Sequence, residues 1–289
     1  MFHDAIVGVD GSPGGRDAIA LARLLVDADG RLTLANIRAH EVPPPGGAAE
    51  VAGRGDSERL LEAERAATEV EAELVSLADR SVGRGLHAVA EGRGSDLLVV
   101  GSCRRGIVGR VLVGNDTRAA LNGSPCAIAV APLAYARNMD PLRTIGVGYD
   151  GSPESDAALA IARALGARYG ATLRALRVVP LPGSPWGGFG GTAWGDTLED
   201  LVADAQRGLS ELAGVEGEAR RGIAGEELAA FGERVDLLVV GSRGYGPLRR
   251  LMLGSTSEYL AGHARCPLLV LPRVAIASAG GEHEDTAAR

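Results

Sequence analysis

The sequence predicts an α/β fold built as two tandem, doubly wound, Rossmann-like parallel sheets of five strands each. Three observations predict it. The chain repeats itself: DGSP at 10–13 returns at 150–153, and DLLVVGS at 96–102 returns unchanged at 236–242, both displaced by 140 residues. Gly114 and Gly254, Cys126 and Cys266, and Pro132 and Pro272 obey the same shift. A period this long makes each repeat a domain with its own core, and 289 residues suffice for two domains of ordinary size. Within each repeat, short β-rich apolar runs alternate with longer Ala/Leu segments of helical period, the pattern of a parallel sheet covered on both faces.

In the first repeat, the buried run at 5–9 is a strand; Ser12 stands as N-cap with Pro13 at the first helical position, and Ala18, Leu21, Ala22 and Leu25 form a helical stripe. A second strand is expected at 31–37, a second helix at 58–70, a weaker strand at 73–78 and a short helix at 85–91. The strand at 97–100, a loop, a helix at 116–121 and a strand at 126–130 complete the unit. The second repeat places strands at 144–149, 172–178, 215–220, 237–240 and 268–271. The domains are expected at 1–132 and 143–273, joined by LAYARNMDPL at 133–142 and followed by a polar, disordered tail at 274–289.

Composition excludes several function classes. All 30 basic residues are Arg, so a Walker A loop, a protein kinase and a pyridoxal phosphate enzyme, each of which needs a Lys, are ruled out. The net charge of −7 argues against a protein that coats nucleic acid or an anionic membrane. Apolar runs are broken well short of a membrane span, and MFHDAIVGVD has no leader pattern, so a cytoplasmic location is expected. Three Cys without C-x-x-C spacing and five unpaired His point to neither a disulfide scaffold nor a metal centre. Cys126 and Cys266 read as small buried hydrophobes, whereas Cys103 lies in a Gly/Arg loop.

In doubly wound sheets, ligands bind beyond the carboxyl ends of strands where the strand order reverses. Asp150 and Gly241 end two such strands. Gly241 lets a ligand approach the backbone, Gly244 permits a tight turn, and Gly254 precedes a helix whose Ser255, Thr256 and free N–H groups make a phosphate site. In a chain with 42 Gly, the same loop reads equally well as turn chemistry alone.

VGYDGSP, DLLVVGSRG and the spaced glycines G-x2-G-x9-G-S at 241, 244, 254 and 255 resemble the universal stress protein family in its tandem form, over about residues 2–273. The resemblance implies an adenine-nucleotide α-hydrolase-like fold that holds ATP, with Mg2+. Asp150 would contact the adenosine portion and the backbone near Val178 the adenine. Gly241, Gly244 and Gly254 would admit ribose and phosphates, Ser255 and Thr256 would bind phosphate oxygens, and Arg243 lies within reach or is simply solvated. The first repeat keeps Asp10, Gly101 and Gly114 but has Arg104 for the second glycine, Asn115 for the hydroxyl residue and Asp116 after it, so its site is expected to be impaired unless Arg104 and Arg105 pair with phosphate.

The resemblance also implies a pseudo-dimer paired along 126–130 and 268–271, and association of whole chains into a homodimer. The expected function is stress response through nucleotide-dependent conformation or association, with a nucleotide-free interaction module or weak ATPase as alternatives. No catalytic residue is assigned, since no triad or base is tied to the loop, and the SGGxDS, HIGH and KMSKS signatures of adenylating enzymes are missing. The Gly/Pro-rich stretch at 180–196 carries both Trp residues and Phe189, either as a lid or partner surface or folded back on the body.

Overall fold

The computed structural model describes residues 1–39, 48–102, 115–180, 194–242, 251 and 254–272. The first half runs β1 (Phe2–Gly8), α1 (Pro13–Leu25), β2 (Val26–Ala39), α2 (Ala48–Thr68), β3 (Glu73–Asp79), α3 (Val82–Arg93), β4 (Leu97–Gly101), α4 (Asn115–Leu121) and β5 (Ala127–Ala131). After a single 3-10 turn at Tyr135–Arg137, the second half repeats the series as β6 (Thr144–Gly148), α5 (Pro153–Tyr169), β7 (Thr172–Pro180), α6 (Trp194–Ser210), β8 (Val215–Gly222), α7 (Ala224–Phe231), β9 (Leu237–Gly241), α8 (Ser255–His263) and β10 (Leu268–Leu271).

The strands join in one ten-stranded sheet of order β3-β2-β1-β4-β5-β10-β9-β6-β7-β8. Every pairing is parallel except β5 with β10, where Leu268, Leu269 and Val270 lie opposite Val130, Ala129 and Ile128. The expected edge-to-edge pairing of the two halves is therefore present, and it occupies an edge each half would otherwise expose. The strand order of each half reverses between its first and fourth strands, β1/β4 and β6/β9.

Side chains alternate across this sheet as the two-residue period requires. Leu97, Val99, Ala129, Val239 and Leu269 point to one apolar cluster, which also takes in α1 and α5; Leu98, Val100, Ile128, Leu238 and Val270 point to the other, with residues of α3, α7 and α8. Each cluster runs through both halves. The first is closed at the junction by Arg168, which donates to the Val26 carbonyl (2.9 Å), and by the Tyr169 hydroxyl, which donates to the Leu24 carbonyl (2.6 Å). On the same side Asp17 of α1 accepts from the N–H groups of Ala134 and Ala136, both at 2.8 Å, pinning the connector.

Local chemistry sets the helix ends. Ser152 caps α5, its hydroxyl accepting from the Ser155 N–H at 3.2 Å, with Pro153, Glu154 and Asp156 in the first turn and Gly170 at φ +67° closing the helix. Ser12 holds the matching extended conformation before α1, but its side chain makes no cap bond. Two boundaries differ from expectation by five residues or more. β2 begins at Val26 rather than 31, because the polar run VDADG is held beside β1, Val26 opposite Phe2 and Asp27 against Arg168 of the other half. α2 begins at Ala48 rather than 58, its early turns carrying the weak helix formers Gly53 and Gly55.

Candidate functional site

The turn after β6 is built by its own polar groups. The Asp150 carboxylate accepts from the Ser152 N–H (3.0 Å) and from the Ser152 hydroxyl (2.5 Å), while Gly151 adopts φ +81°, a conformation few side chains tolerate. Asp150 thus lies two residues beyond the strand rather than on it, and its carboxylate shapes the turn. Next to it, Tyr149 donates its hydroxyl to Asp156 (2.8 Å); burial first, then that bond, pushes its pKa above the ordinary tyrosine value.

β9 delivers Gly241 to the same place, for a different reason from the one its motif suggests. A Cβ there would sit 2.7 Å from both the Cβ and the carbonyl oxygen of Glu154, so the glycine is required by the close approach of α5. Gly241 lines the cleft, but packing sets its identity. The following Ser242 is buried, its N–H donating to the Leu271 carbonyl at 2.9 Å.

Between these turns opens a cleft enclosing about 600 Å³ of non-protein space, mouth included. It brings together Asp150, Val178, Gly241, Gly254 and Thr256, residues drawn from four separate parts of the chain. Its inner wall is apolar, formed by Leu176, Val178, Leu228 and Val240, and its other side is polar, with Asp150, Glu154, Thr256 and Ser257. Gly254 occupies the N-cap of α8 in extended conformation and brings no side-chain cap, so among the described residues the first amides of that helix meet no capping side chain. Ser255 is not brought into the cleft: it is exposed on the outer side of the first turn, and the neighbouring Thr256 and Ser257 face inward instead. Arg243 and Gly244 lie outside the described residues.

The sequence profile of the universal stress protein family matches residues 1–132 and again residues 141–272. The chain belongs to the universal stress protein family. A universal stress protein of Mycobacterium tuberculosis is 30% identical over 205 residues, which are 68% of this chain and 70% of its own length. One from Thermus aquaticus is 31% identical over 141 residues, 45% of this chain and 98% of its own. Among solved structures, a universal stress protein from Archaeoglobus fulgidus superposes with a TM-score of 0.65 at 17% identity, covering 93% of this chain and 98% of that one, a likeness of fold.

In this universal stress protein, the first domain treats the corresponding positions differently. Asp10 keeps the turn bond, accepting from the Ser12 N–H at 2.9 Å, and Gly101 is again demanded by packing, a Cβ there falling 2.0 Å from the Gly14 carbonyl oxygen. Yet Gly11 is covered by Leu60 of α2, while no described residue would meet a Cβ at Gly151. The Asn36 amide donates to the Val9 carbonyl (2.7 Å) and accepts from the Ser57 hydroxyl (2.6 Å), and Arg16 pairs with Glu64 at 2.7 Å. Helix α2 therefore lies against the first-domain turn, and among the described residues no such contact is made on the second-domain turn. Arg104 and Gly114 fall outside the described residues, as do Cys103 and Arg105; Asn115 opens α4.

Tyr149, Glu154, Leu176, Ala224, Leu228 and Ser257 line the cleft without having been singled out from the sequence. Only Ser257 carried a usable signal, as the third hydroxyl in succession at a helix start. Cys126 and Cys266 are buried and unbridged as expected, and burial pushes both thiols up to about 12.

Proposed function

We propose that the second-domain cleft binds an adenine nucleotide, ATP with Mg2+, and that the protein acts in stress response through the change in conformation or association this binding brings. Family membership supports the stress-response role. The carrying observation is the convergence of Asp150, Val178, Gly241, Gly254 and Thr256 on one cleft at the reversal point of the sheet. The apolar wall at Leu176, Val178 and Leu228 suits a flat heterocycle, and the Asp150 turn suits a ribose. Thr256, Ser257 and the first amides of α8 suit phosphate oxygens. A divalent cation carried in with the nucleotide would lower the charge its phosphates bring to the cleft. Among the described residues, no group of three His, Cys, Asp or Glu is arranged to hold a metal by protein ligands alone.

The first domain is assigned a structural role, since α2 lies on its DGS turn. No helix of the described residues is long and apolar enough to cross a membrane. The test is the nucleotide stoichiometry of the purified chain: nucleotide released on denaturation is quantified, and the emptied protein is titrated calorimetrically with Mg-ATP and with cyclic AMP. One ATP site per chain, abolished by Thr256→Glu, is expected, because the added carboxylate fills the phosphate end while Glu is well tolerated in a first helical turn. Two sites would overturn the assignment of the first domain. No binding would favour a nucleotide-free interaction module.

A further inference from the structure

Leu251, three residues before Gly254, touches the first domain. It is fully buried in the same apolar cluster as Leu121, Ile128 and Leu260. Its N–H donates to the Ser124 carbonyl and its own carbonyl accepts from the Gly123 N–H, both at 2.8 Å, an antiparallel bridge onto the turn between α4 and β5. That turn is built for the purpose: Gly123 holds φ +87°, and the fully buried Ser124 donates its hydroxyl to the Cys126 carbonyl at 3.0 Å. A second tie runs alongside, Arg118 of α4 pairing at 2.8 Å with Glu258 of α8, the helix whose first turn carries Thr256 and Ser257 into the cleft. At the positions displaced by 140 residues, the second domain has His263 and Ala264 where the first has Gly123 and Ser124.

We propose that the first domain positions the nucleotide segment of the second: Gly123 and Ser124 anchor Leu251, and through it fix where Gly254 and the start of α8 stand. A backbone bridge plus one buried side chain fixes Leu251, so part of the ordering cost of placing Gly254 and the start of α8 is met before ligand arrives. A first domain without a nucleotide of its own then still acts on affinity, as the clamp of its neighbour's site. This inference rests on the nucleotide reading of the cleft for its affinity arm and on the bridge itself for its exchange arm.

The full-length chain is compared with Leu251→Ala and Leu251→Met by calorimetric titration with Mg-ATP and by amide hydrogen exchange without nucleotide. Leu251→Ala is expected to raise Kd about tenfold or more at unchanged stoichiometry, as when the binding-competent arrangement falls to roughly a tenth of the population. Leu251→Met restores near-native affinity. The amides of Gly123, Leu251 and Glu258 exchange faster in Leu251→Ala while those of Val147 and Leu238 do not. Unchanged affinity in Leu251→Ala overturns the proposal. Where the native chain binds no nucleotide, the nucleotide reading falls and exchange decides alone: faster exchange reaching Glu258 upholds first-domain positioning, and exchange confined to Leu251 overturns it. Should Leu251→Ala fail to fold, Gly123→Ala, which strains the turn without altering the core, carries the same two readouts.

Discussion

Asp17 hydrogen-bonds the interdomain connector to α1 at two places, so its removal has a calculable effect. In Asp17→Ala, the N–H groups of Ala134 and Ala136 each lose a 2.8 Å bond to a carboxylate only 2% exposed. A stranded donor costs about 1–3 kcal/mol, and because the connector borders solvent, water relieves part of it, giving about 2–3 kcal/mol for the pair. For a chain of this size, that is about 3–5 °C in Tm. The pH dependence is more diagnostic. Burial first raises the Asp17 carboxyl above its ordinary value, more than its two backbone bonds and Arg137 lower it. A raised carboxyl favours the folded state most below its unfolded pKa, and the contribution is lost as pH rises through the folded value. Asp17→Asn lacks this titration, so in urea unfolding the stability difference between native chain and variant must shrink as pH rises from about 3 toward neutrality. A difference that widens over that range would refute burial as the dominant influence.

Gly241→Ala puts a Cβ against the α5 backbone at Glu154, and an overpacking cost of about 1–3 kcal/mol is expected in thermal unfolding; an unshifted Tm would show that α5 can yield. Leu269→Arg buries a charge in the β5–β10 seam, where Leu269 is fully buried opposite Ala129, at a cost of about 3 kcal/mol or more; wild-type stability and hydrodynamic size in that variant would rule out the seam. Cys126 and Cys266, their thiols at about 12, are expected to resist iodoacetamide at pH 7.5 in the native chain and to react after unfolding, read site by site by mass spectrometry.

The strands were legible because both faces of the sheet are covered, which turns each strand into an uninterrupted apolar run such as LLVV at 97–100 and again at 237–240. The cleft was legible as far as the repeat marked it: Asp150, Gly241 and Gly254 stand at fixed offsets from recurring motifs. What could not be read was decided by contacts remote in sequence. VDADG has the composition of a loop and is a strand because β1 and Arg168 hold it. Gly241 lines the cleft, but the close approach of α5 that also demands a glycine there is not visible in the sequence. Which of three consecutive hydroxyls face inward depends on the helical phase of α8, which a few residues of periodicity do not fix. The anchoring of Leu251 involves the other domain entirely.

The antiparallel seam has a bearing on how such a chain can change. Two identical subunits meeting about a two-fold axis carry every substitution twice, so neither site can be altered without altering the other. Joining the halves through the connector at 133–142 keeps the mating surfaces at high effective concentration and lifts that constraint. Asp17 has Ala157 at its shifted position, and Glu154 has Gly14. Each half has been free to acquire residues the other could not accept, and a division of labour becomes possible within one symmetric scaffold.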